Sequence, residues 1–304
     1  MAERDVLVVG ESLVDVVRRA DGSVAEHAGG SAANVAVALA RLGRPVRFAT
    51  ALADDRYGGL VAAHIGRDGV RLASEPEVIA RTATALATLA DDGSASYEFD
   101  LEWRIGEVPD EPRPLVVHAC SIGAVLQPGA AQVVELLARM RPHATVTYDV
   151  NARPAITGTG PDLLAAVEAV AAHADLVKAS DEDLAALHPD ADPVTAARRL
   201  LALGPSAVVI TRGADGATWV AADGTIDVPA QVSVVVDTIG AGDTFGAALV
   251  DGLWTRGLLG AEARPALAQL RDVDRAALLR HAVQAAALVV ARPGADPPYR
   301  HELG

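Results

Sequence analysis

Residues 232–250 read VSVVVDTIGAGDTFGAALV, an apolar run followed by a glycine-rich turn and a helical pattern. The run Val232–Val236 predicts a buried strand that ends at Asp237, and we expect a helix from about Asp243. The free N–H groups of such a turn and helix N-terminus form an anion site, which the helix dipole reinforces. A carboxylate in the first turn of a helix is normally only a cap. Asp243 would nevertheless lie beside any phosphate held by the turn, where it could accept a proton from an attacking hydroxyl.

Short apolar runs alternate with helical patterns along the rest of the chain. The predicted strands are Val6–Val9, Val46–Ala49, Leu115–Ala119, Thr145–Tyr148, Asp175–Val177, Ala207–Ile210 and Val232–Val236. The predicted helices cover Ala32–Leu42 and residues near 129–140, 161–173, 181–187, 193–203, 241–256 and 275–291. This alternation predicts an α/β fold with a largely parallel sheet covered by helices on both faces. Because no low-complexity linker divides the chain, we expect one domain over residues 1–304.

Two regions break this alternation. Residues 12–28 and 82–105 have the pattern of β-hairpins, with turns at residues 20–22 and 91–93. From Ala95 to Ile105 apolar and polar residues alternate, which predicts a half-buried strand with one apolar face. These hairpins either extend the main core or form a lid whose apolar face covers a ligand, packs on a second subunit, or does both. We expect the lid.

The composition excludes several classes of protein. The chain has 304 residues and a net charge of −14, so we expect neither a general nucleic-acid binder nor a protein of anionic membrane surfaces. The single cysteine, Cys120, excludes an internal disulfide and a cysteine-cluster metal site. The first apolar run is too short for a signal peptide, and no stretch approaches the roughly 20 apolar residues that span a bilayer. We therefore expect a cytoplasmic protein.

Two other nucleotide-binding motifs are missing from the sequence. No G-x-x-x-x-G-K-[ST] run occurs, which excludes a Walker-type nucleotidase. Gly240, Gly242 and Gly246 are spaced as GxGxxxG rather than GxGxxG, and no acidic residue follows at the distance that a dinucleotide site needs. A nicotinamide-dependent oxidoreductase is therefore a weak alternative.

Three motifs together resemble those of the PfkB-type carbohydrate kinases, the ribokinase-like family. The run DTIGAGD at 237–243 is similar to the DTxGAGD signature of that family, and GGSAAN at 29–34 is similar to its GGxxxN element. The run TRGADG at 211–216 is similar to its TxGxxG turn. The resemblance implies a ribokinase-like fold, in which a central, mostly parallel sheet is flanked by helices and carries a small β-sheet lid. It also implies the activity of an ATP-dependent sugar kinase.

The resemblance implies roles for the residues of the phosphate site. Asp243 would be the general base that takes the proton of the sugar hydroxyl attacking the γ-phosphate. The N–H groups of Gly240, Ala241 and Gly242 would bind the charge on the transferring phosphoryl oxygens.

The resemblance places the sugar against a second set of residues. Asp15 would hydrogen-bond sugar hydroxyls, helped by Gly30 and Asn34. Gly29 and Gly30 would also allow the backbone to approach the sugar closely. Asp15 could instead be a solvated hairpin carboxylate, and Asn34 an ordinary residue of the first helical turn.

Further roles concern the nucleotide and the metals. The nucleotide-binding residues that the resemblance implies are Thr211, Gly213, Gly216, Lys178 and Ser180. The adenine would lie between the turn after Gly216 and the helix around Ala282–Ala286. Asp183 would orient Mg²⁺ through water, although Ser180 and Asp183 would equally well cap a surface helix. Asp237 and the carbonyl of Ile239 match a monovalent cation site of the family, which leaves a K⁺ requirement open.

The sugar itself is narrowed by two runs of sequence. GGSAANVAVALARLG at 29–43 is similar to a fructokinase pattern, and DVNAR at 149–153 resembles the DxNxR element of fructokinases and 2-keto-3-deoxygluconate kinases. Arg153 would lie near the phosphates or bind the carboxylate of an acidic sugar, unless it forms only a surface ion pair. We expect fructose or a related ketose or hexose. A 2-keto-3-deoxygluconate kinase, a ribokinase, a nucleoside kinase and a non-catalytic binding regulator remain alternatives.

The predicted lid also suggests a partner. Its apolar face, with Tyr97, Phe99 and Trp103, favours a homodimer formed through the lid strands.

Overall fold

The computed structural model describes residues 4–89, 95–231 and 234–304. The strands within these ranges are β1 (Val6–Val9), β2 (Leu13–Arg18), β3 (Val24–Gly29), β4 (Val46–Ala49), β5 (Arg71–Leu72), β6 (Thr84–Leu89), β7 (Ala95–Asp100), β8 (Val116–Cys120), β9 (Thr145–Asp149), β10 (Leu176–Ser180), β11 (Ala207–Thr211), β12 (Ala217–Ala221) and β13 (Gly224–Val228). The α-helices are α1 (Ser31–Arg41), α2 (Arg56–Gly66), α3 (Gly129–Met140), α4 (Pro154–Thr157), α5 (Pro161–Ala171), α6 (Asp181–Leu187), α7 (Pro193–Leu201), α8 (Ala241–Thr255), α9 (Arg264–Ala268) and α10 (Asp272–Val289).

The larger sheet has the strand order β13-β12-β11-β10-β9-β8-β1-β4-β5. Its strands run parallel except at β12 and β13, which are added antiparallel at one edge. Along β1, Val6 and Val8 pack into one core, whereas Leu7 and Val9 pack into the other. An uninterrupted apolar strand is what a sheet covered on both faces requires, so the predicted architecture is confirmed.

The two cores place different helices on the two faces of the sheet. One core includes residues of α1, α2, α8 and α10, and the other includes residues of α3, α5, α6 and α7. Helix α8 packs against both α1 and α10. Its N-terminus lies beside the N-terminal part of α1, because Ser31 and Asn34 both hydrogen-bond to Asp243.

A smaller sheet has the order β3-β2-β6-β7 and is formed by the two predicted hairpins. The predicted turn at 91–93 lies outside the described residues. The alternating strand predicted to reach Ile105 is wrong beyond Asp100, where β7 ends. Trp103 and Ile105 are instead buried in the core with α3, and the Trp103 indole N–H donates to the Gly123 carbonyl at 2.8 Å.

The predicted strand Val232–Val236 is also wrong for the part of it that the structure describes. Val234–Val236 form no strand, and their side chains are 58–78% exposed. The N–H groups of Val236 and Asp237 both donate to the Val290 carbonyl, at 2.7 and 3.2 Å. This segment therefore bonds to the end of α10 and not to the sheet, whose edge is the unpredicted hairpin β12–β13.

The remaining predicted strands and helices are confirmed within two or three residues at their ends. Helix α2 was not predicted. It begins after Asp55, whose carboxylate accepts the Gly58 N–H at 2.7 Å. No helix in the described part of the chain has both the length and the apolar character needed to cross a membrane.

Candidate active site

A cleft of about 1120 Å³ opens between the smaller sheet and the carboxyl ends of the parallel strands. Ligands of open α/β sheets bind at this edge. At one end the cleft is lined by Leu13, Asp15, Ala85 and Phe99 of the smaller sheet. The other end is lined by the turn after β11 and by residues of α10. The smaller sheet thus covers part of the cleft, as expected of a lid.

The N-terminus of α8 lies between these two ends. Gly240 precedes the helix with φ +75, and a Cβ atom there would meet the Cβ of Ala295 at 2.7 Å, so the position requires glycine. Among the described residues, the N–H groups of Gly240, Gly242 and Asp243 have no hydrogen-bond acceptor. Ala241, which was predicted to join the anion site, already donates its N–H to the Thr238 carbonyl at 3.2 Å. The structure therefore supports two of the three predicted N–H groups and adds that of Asp243.

Asp243 lies in the first turn of α8 and is only 6% exposed. Its side chain does not cap its own helix. The Ser31 hydroxyl donates to its Oδ1 at 2.6 Å, and the Asn34 amide donates to its Oδ2 at 2.8 Å. Both donors come from the first turn of α1, so the carboxylate is held at the floor of the cleft by neutral groups.

Glu11 follows β1 and is a second buried carboxylate of the cleft, one that the sequence analysis missed. Its oxygens accept the N–H groups of Ser31 at 3.1 Å and Gly123 at 2.9 Å. Burial raises the pKa of Glu11 to about 7, against these two hydrogen bonds, and the charge of Asp243 adds to the rise. Glu11 therefore joins the start of α1 to the loop after β8.

Lys178 and Asp149 form a buried ion pair beneath the N-terminus of α8, with 3.0 Å between Nζ and Oδ2. A Cβ atom on Gly242 would lie 2.9 Å from the ammonium group, so a larger residue there would displace the end of the lysine side chain. Burial acts to lower the pKa of Lys178, but Asp149 and Asp183 outweigh it and leave that pKa raised. Burial raises the pKa of Asp149 to about 7 although Lys178 opposes the rise. The lysine thus holds its proton next to the free N–H groups of the turn.

His118 lies close to this pair on the neighbouring strand β8. Its Nδ1 is 2.9 Å from the Thr147 hydroxyl, and burial together with Lys178 lowers the pKa of His118 to about 3. The ring is therefore neutral. Its Nε2 and the Oδ1 of Asp149 are buried without a partner among the described residues. His118 was not predicted, because a single histidine within an apolar strand carries no functional signal.

The predicted sugar residues gather where the lid meets α1. Asp15 lines the cleft, and a Cβ atom on Gly29 would lie 2.7 Å from its carboxylate. Burial raises the pKa of Asp15, and the charge of the nearby His27 opposes this rise. Gly30 has φ +100, and a Cβ atom there would meet the Glu11 carbonyl oxygen at 2.8 Å. Asn34 also lines this end of the cleft.

Arg153 lies at the cleft margin but forms no ion pair among the described residues. Its guanidinium donates to the carbonyls of Ala152 at 2.9 Å and Asn151 at 3.4 Å. The surface ion pair considered for Arg153 is therefore not observed, and the side chain is exposed toward the cleft.

The predicted nucleotide residues line the far end of the cleft. Thr211 is the last residue of β11, and Gly213 and Gly216 belong to the turn that follows. Gly216 has φ +91, and a Cβ atom there would clash with the Val228 carbonyl oxygen at 2.1 Å. From α10 the lining residues are Val283, Ala286 and Ala287, and Val290 follows directly after the helix. Ala282, at the start of the predicted adenine segment, is instead fully buried in the core.

Ser180 and Asp183 form a capping box at the start of α6, the structural alternative raised by the sequence. The Ser180 N–H donates to Asp183 at 2.7 Å, and the Asp183 N–H donates to the Ser180 hydroxyl at 3.0 Å. The other oxygen of Asp183 accepts the Ala152 N–H at 2.8 Å. Both oxygens of the carboxylate thus already accept backbone groups, although both residues line the cleft.

The predicted monovalent cation residues lie together beside α8. The Asp237 carboxylate accepts the N–H groups of Ile239 at 3.0 Å and Gly294 at 2.9 Å. These hydrogen bonds lower the pKa of Asp237, so it is ionised at neutral pH. The Asp237 carboxylate thus joins the turn before α8 to the segment after α10.

The chain is similar to known proteins over nearly its whole length. A family model described as pfkB family carbohydrate kinase matches residues 3–302. A fructokinase of Rhizobium leguminosarum bv. trifolii is 33% identical over 84% of this chain and 81% of the relative. An aminoimidazole riboside kinase of Salmonella typhimurium is 30% identical over 80% of this chain and 79% of the relative.

Solved structures give the same picture. A fructokinase with bound ATP from Xylella fastidiosa has a TM-score of 0.88 and 27% identity, covering 99% of this chain and 97% of that one. An aminoimidazole riboside kinase from Salmonella enterica, complexed with aminoimidazole riboside and an ATP analog, has a TM-score of 0.79 and 26% identity over 99% of this chain and 98% of that one. The fold predicted from the sequence is confirmed.

Proposed function

Because the chain belongs to the pfkB family of carbohydrate kinases and is an ATP-dependent sugar kinase, we propose that fructose is the sugar it phosphorylates. Curated fructokinases are 33%, 29% and 29% identical to it. The match of the family model to residues 3–302 also supports a single domain over the chain.

The position of Asp243 carries the proposed mechanism. It is buried where the lid end and the nucleotide end of the cleft meet, and the free N–H groups of Gly240 and Gly242 lie in the same turn. A primary hydroxyl of the sugar gives its proton to Asp243 while its oxygen bonds to the γ-phosphorus. The bond from that phosphorus to the bridging oxygen breaks, and ADP leaves. The N–H groups stabilise the charge on the transferring oxygens.

Lys178 supplies the positive charge of the phosphate site in this proposal. Lys178 and Arg153 are the only cationic side chains among the described residues that line the cleft. The Lys178 ammonium lies beneath the glycine turn, where it and the helix N-terminus attract the same anion. Arg153, at the margin, adds a second contact to the phosphates.

A neutral sugar suits the lid end of the cleft better than an acidic one. Three carboxylates, those of Glu11, Asp15 and Asp243, line this end. They accept hydrogen bonds from hydroxyl groups but repel a sugar carboxylate. Asn34, with Asp15, would hydrogen-bond the sugar. Gly29 leaves space for the Asp15 carboxylate, and Gly30 lines the cleft itself. This charge pattern disfavours 2-keto-3-deoxygluconate.

ATP is expected to lie along the nucleotide end. Thr211, Gly213 and Gly216 would contact the nucleotide, and the small side chains of α10 leave a flat space for the adenine. Ser180, which caps the start of α6, would also contact the nucleotide.

The proposal also includes two cations, Mg²⁺ and K⁺, which different sets of oxygen donors would hold. Glu182 and Asp183 line the cleft as oxygen donors, which suits a Mg²⁺ ion held mainly by phosphates and water. Since backbone N–H groups occupy Asp183, the exposed Glu182 is the freer donor. When bound, Mg²⁺ neutralises charge on the β- and γ-phosphates. The ionised Asp237 and the Ile239 carbonyl would hold K⁺ beside the anion site.

We also propose a cytoplasmic homodimer formed through the lid. Tyr97 and Phe99 stack on each other and are 64% and 38% exposed, and Val24 of the same sheet is 52% exposed. Trp103, which the sequence had assigned to this face, is buried elsewhere. Sedimentation should show a dimer that Tyr97→Ser weakens, and a monomeric wild-type protein would contradict this proposal.

The function is tested by sugar-dependent ADP formation from ATP. The panel contains fructose, glucose, ribose, 2-keto-3-deoxygluconate and aminoimidazole riboside. We expect the highest kcat/KM with fructose. Asp243→Asn, purified in the same way, shows whether a contaminating host kinase contributes, because the variant should lose roughly 10²- to 10⁴-fold in kcat.

Other outcomes would overturn the proposal at different levels. Highest kcat/KM with another sugar of the panel would replace fructose as the substrate. Full activity of Asp243→Asn would remove that residue as the base. Tight sugar binding by calorimetry without turnover would favour the non-catalytic regulator.

A further inference from the structure

Ser31 makes a short contact with the proposed base. It is the first residue of α1, is 7% exposed, and places its Oγ 2.6 Å from Oδ1 of Asp243. The hydroxyl has one proton and a second neighbour, the Cys120 sulfur, at 3.5 Å. A thiol sulfur is a weak acceptor compared with a carboxylate, so the proton is directed to Asp243.

Asn151 fixes the direction of this hydrogen bond. Its side-chain amide donates to the Ser31 oxygen at 2.8 Å. Since the serine oxygen accepts from Asn151, its own proton is turned toward the carboxylate. Asn34 holds the other carboxylate oxygen independently. The chain of donors therefore runs from Asn151 through Ser31 to Asp243.

The backbone that presents Asn151 is strained. Among the described residues, Ser121 (φ +55) and Asn151 (φ +38) are the only non-glycine residues with positive φ. They also contact each other, because the Ser121 hydroxyl donates to the Asn151 carbonyl at 3.3 Å. Such conformations are uncommon for non-glycine residues and persist where the surroundings determine them, typically at functional sites. The contact between Ser121 and Asn151 thus holds the loop in which the Asn151 amide donates to Ser31.

We propose that Ser31, oriented by Asn151, is a positioning residue that holds the Asp243 carboxylate in the orientation in which it receives the proton of the sugar hydroxyl. The proposal rests on the proposed role of Asp243 as the base. Each carboxylate oxygen can accept more than one hydrogen bond, so the hydroxyl of the sugar and that of Ser31 are both accommodated. Ser31 keeps its own proton throughout the transfer.

The test is the pH dependence of kcat in Ser31→Ala. The Ser31 hydroxyl favours the ionised form of the carboxylate to which it donates, so the acid limb of the kcat profile should move to higher pH in Ser31→Ala. We expect kcat below that limb to fall roughly tenfold, while KM for fructose and for ATP changes by less than about twofold. Ser31→Thr, which keeps the hydroxyl, should restore most of the profile.

A matched control separates this role from a general effect of removing a buried hydroxyl. Ser12 is 2% exposed, and its hydroxyl lies 2.9 Å from that of Thr50 and 3.5 Å from the Ala51 carbonyl, with no hydrogen bond to Asp243 among the described residues. Ser12→Ala should leave the pH profile of kcat unchanged, even if both variants lower the unfolding temperature. A similar shift in both would show a merely structural effect and would overturn the proposal.

Double variants connect Ser31 to its neighbours. If Asn151 acts through Ser31, Asn151→Ala should lower kcat in the wild type but have little further effect in Ser31→Ala. Adding Ser31→Ala to Asp243→Asn should cost nothing more in kcat. An unshifted profile in Ser31→Ala, with Asp243→Asn inactive, would overturn this inference and leave the proposed function standing. Full activity of Asp243→Asn would overturn both.

Discussion

Helix α8 carries two buried aspartates about two turns apart, and their surroundings are opposite. Asp251 is 1% exposed and is bound by Arg44 at 2.7 Å, by His281 at 2.8 Å and by Arg300. Asp243 is 6% exposed, and its hydrogen bonds come from the uncharged Ser31 and Asn34. The Asp251 carboxylate binds Arg44, which follows α1, and Arg300 of the C-terminal segment, whereas the Asp243 carboxylate faces the cleft.

The difference shows how one helix serves two purposes. Burial alone would raise the pKa of Asp251, but the hydrogen bonds of His281 and Arg300 and the charge of Arg44 lower it. Its charge is compensated within the fold. Lys178 and Arg153, the proposed phosphate contacts, instead line the same cleft as Asp243. We infer that Asp251 stabilises the fold and that Asp243 performs the chemistry.

The largest difference in kcat and stability is expected when each of these two aspartates is replaced by asparagine. Asp243→Asn should lower kcat by roughly 10²- to 10⁴-fold and change the free energy of unfolding little. Asp251→Asn should lower that free energy by about 3 kcal/mol, because Arg44, His281 and Arg300 lose the buried carboxylate that they all bind. Its kcat per folded molecule should stay within about twofold. Urea unfolding and steady-state kinetics on both variants measure these effects. If both variants lost the same property, whether kcat or stability, the two aspartates would not have different roles.

Lys178 combines both roles, which makes it a sharper test. Lys178→Met removes the proposed phosphate contact and leaves Asp149 buried and unpaired, so both kcat and stability should fall. Asp149→Asn in the same chain should recover most of the lost stability, because a buried pair can be replaced by neutral groups. It should not recover kcat, which we expect to stay roughly 10²-fold down. Recovery of both by the double variant would reduce Lys178 to a structural residue.

Stability should depend on pH with opposite signs in the two regions. The folded-state pKa of Glu11 is about 7, above its ordinary 4.5, so the folded protein binds more protons and its stability falls as pH rises from 4.5 to 7. The folded-state pKa of Asp251 is lowered below 3.8, so its contribution is present above about pH 4 and is lost as pH falls further.

Glu11→Gln isolates the first of these effects. It should remove up to about 3 kcal/mol of the decline in unfolding free energy between pH 4.5 and 7. Part of the decline should remain, since the pKa of Asp149 is also raised to about 7. Urea titrations across this range measure the slope, and an unchanged slope in the variant would contradict the assignment.

The smallest effect is expected at the exposed member of the Asp251 cluster. The Arg300 side chain is 48% exposed, whereas that of Arg44 is 15% exposed. Arg300→Met should therefore cost about 1 kcal/mol of stability, less than Arg44→Met, and should leave kcat unchanged. Thermal unfolding of the two variants compares them, and the reverse order would mean that solvent exposure does not set their contributions.

The sequence predicted the parts of the fold that follow from periodicity. Strands such as Val6–Val9 and helices such as α3 are recognisable because a covered sheet needs apolar runs and a one-sided helix needs a repeat. The strand predicted at Val232–Val236 is wrong at Val234–Val236, because β-branched residues favour extended backbone but do not ensure a neighbouring strand. The alternation up to Ile105 failed because Trp103 is buried in another core.

The site residues that belong to short sequence motifs were predictable, whereas those placed by contacts between distant parts of the chain were not. Asp243, Asn34 and Asp15 were found from short runs of sequence, and the structure brings them to one cleft. Ser31 lay inside one of those runs, but its contact with Asp243 joins residues 212 positions apart. Glu11 could have been suspected from its place after the first strand, at the carboxyl edge of the sheet.

The central claim is that Asp243 receives the proton of the sugar hydroxyl while the α8 turn holds the γ-phosphate. A crystal structure with fructose and a non-hydrolysable ATP analogue tests it most directly. We predict a primary hydroxyl oxygen within about 3.2 Å of the Asp243 carboxylate and the terminal phosphate against the Gly242 N–H. A hydroxyl that points away from Asp243, or a phosphate bound elsewhere in the cleft, would contradict the account.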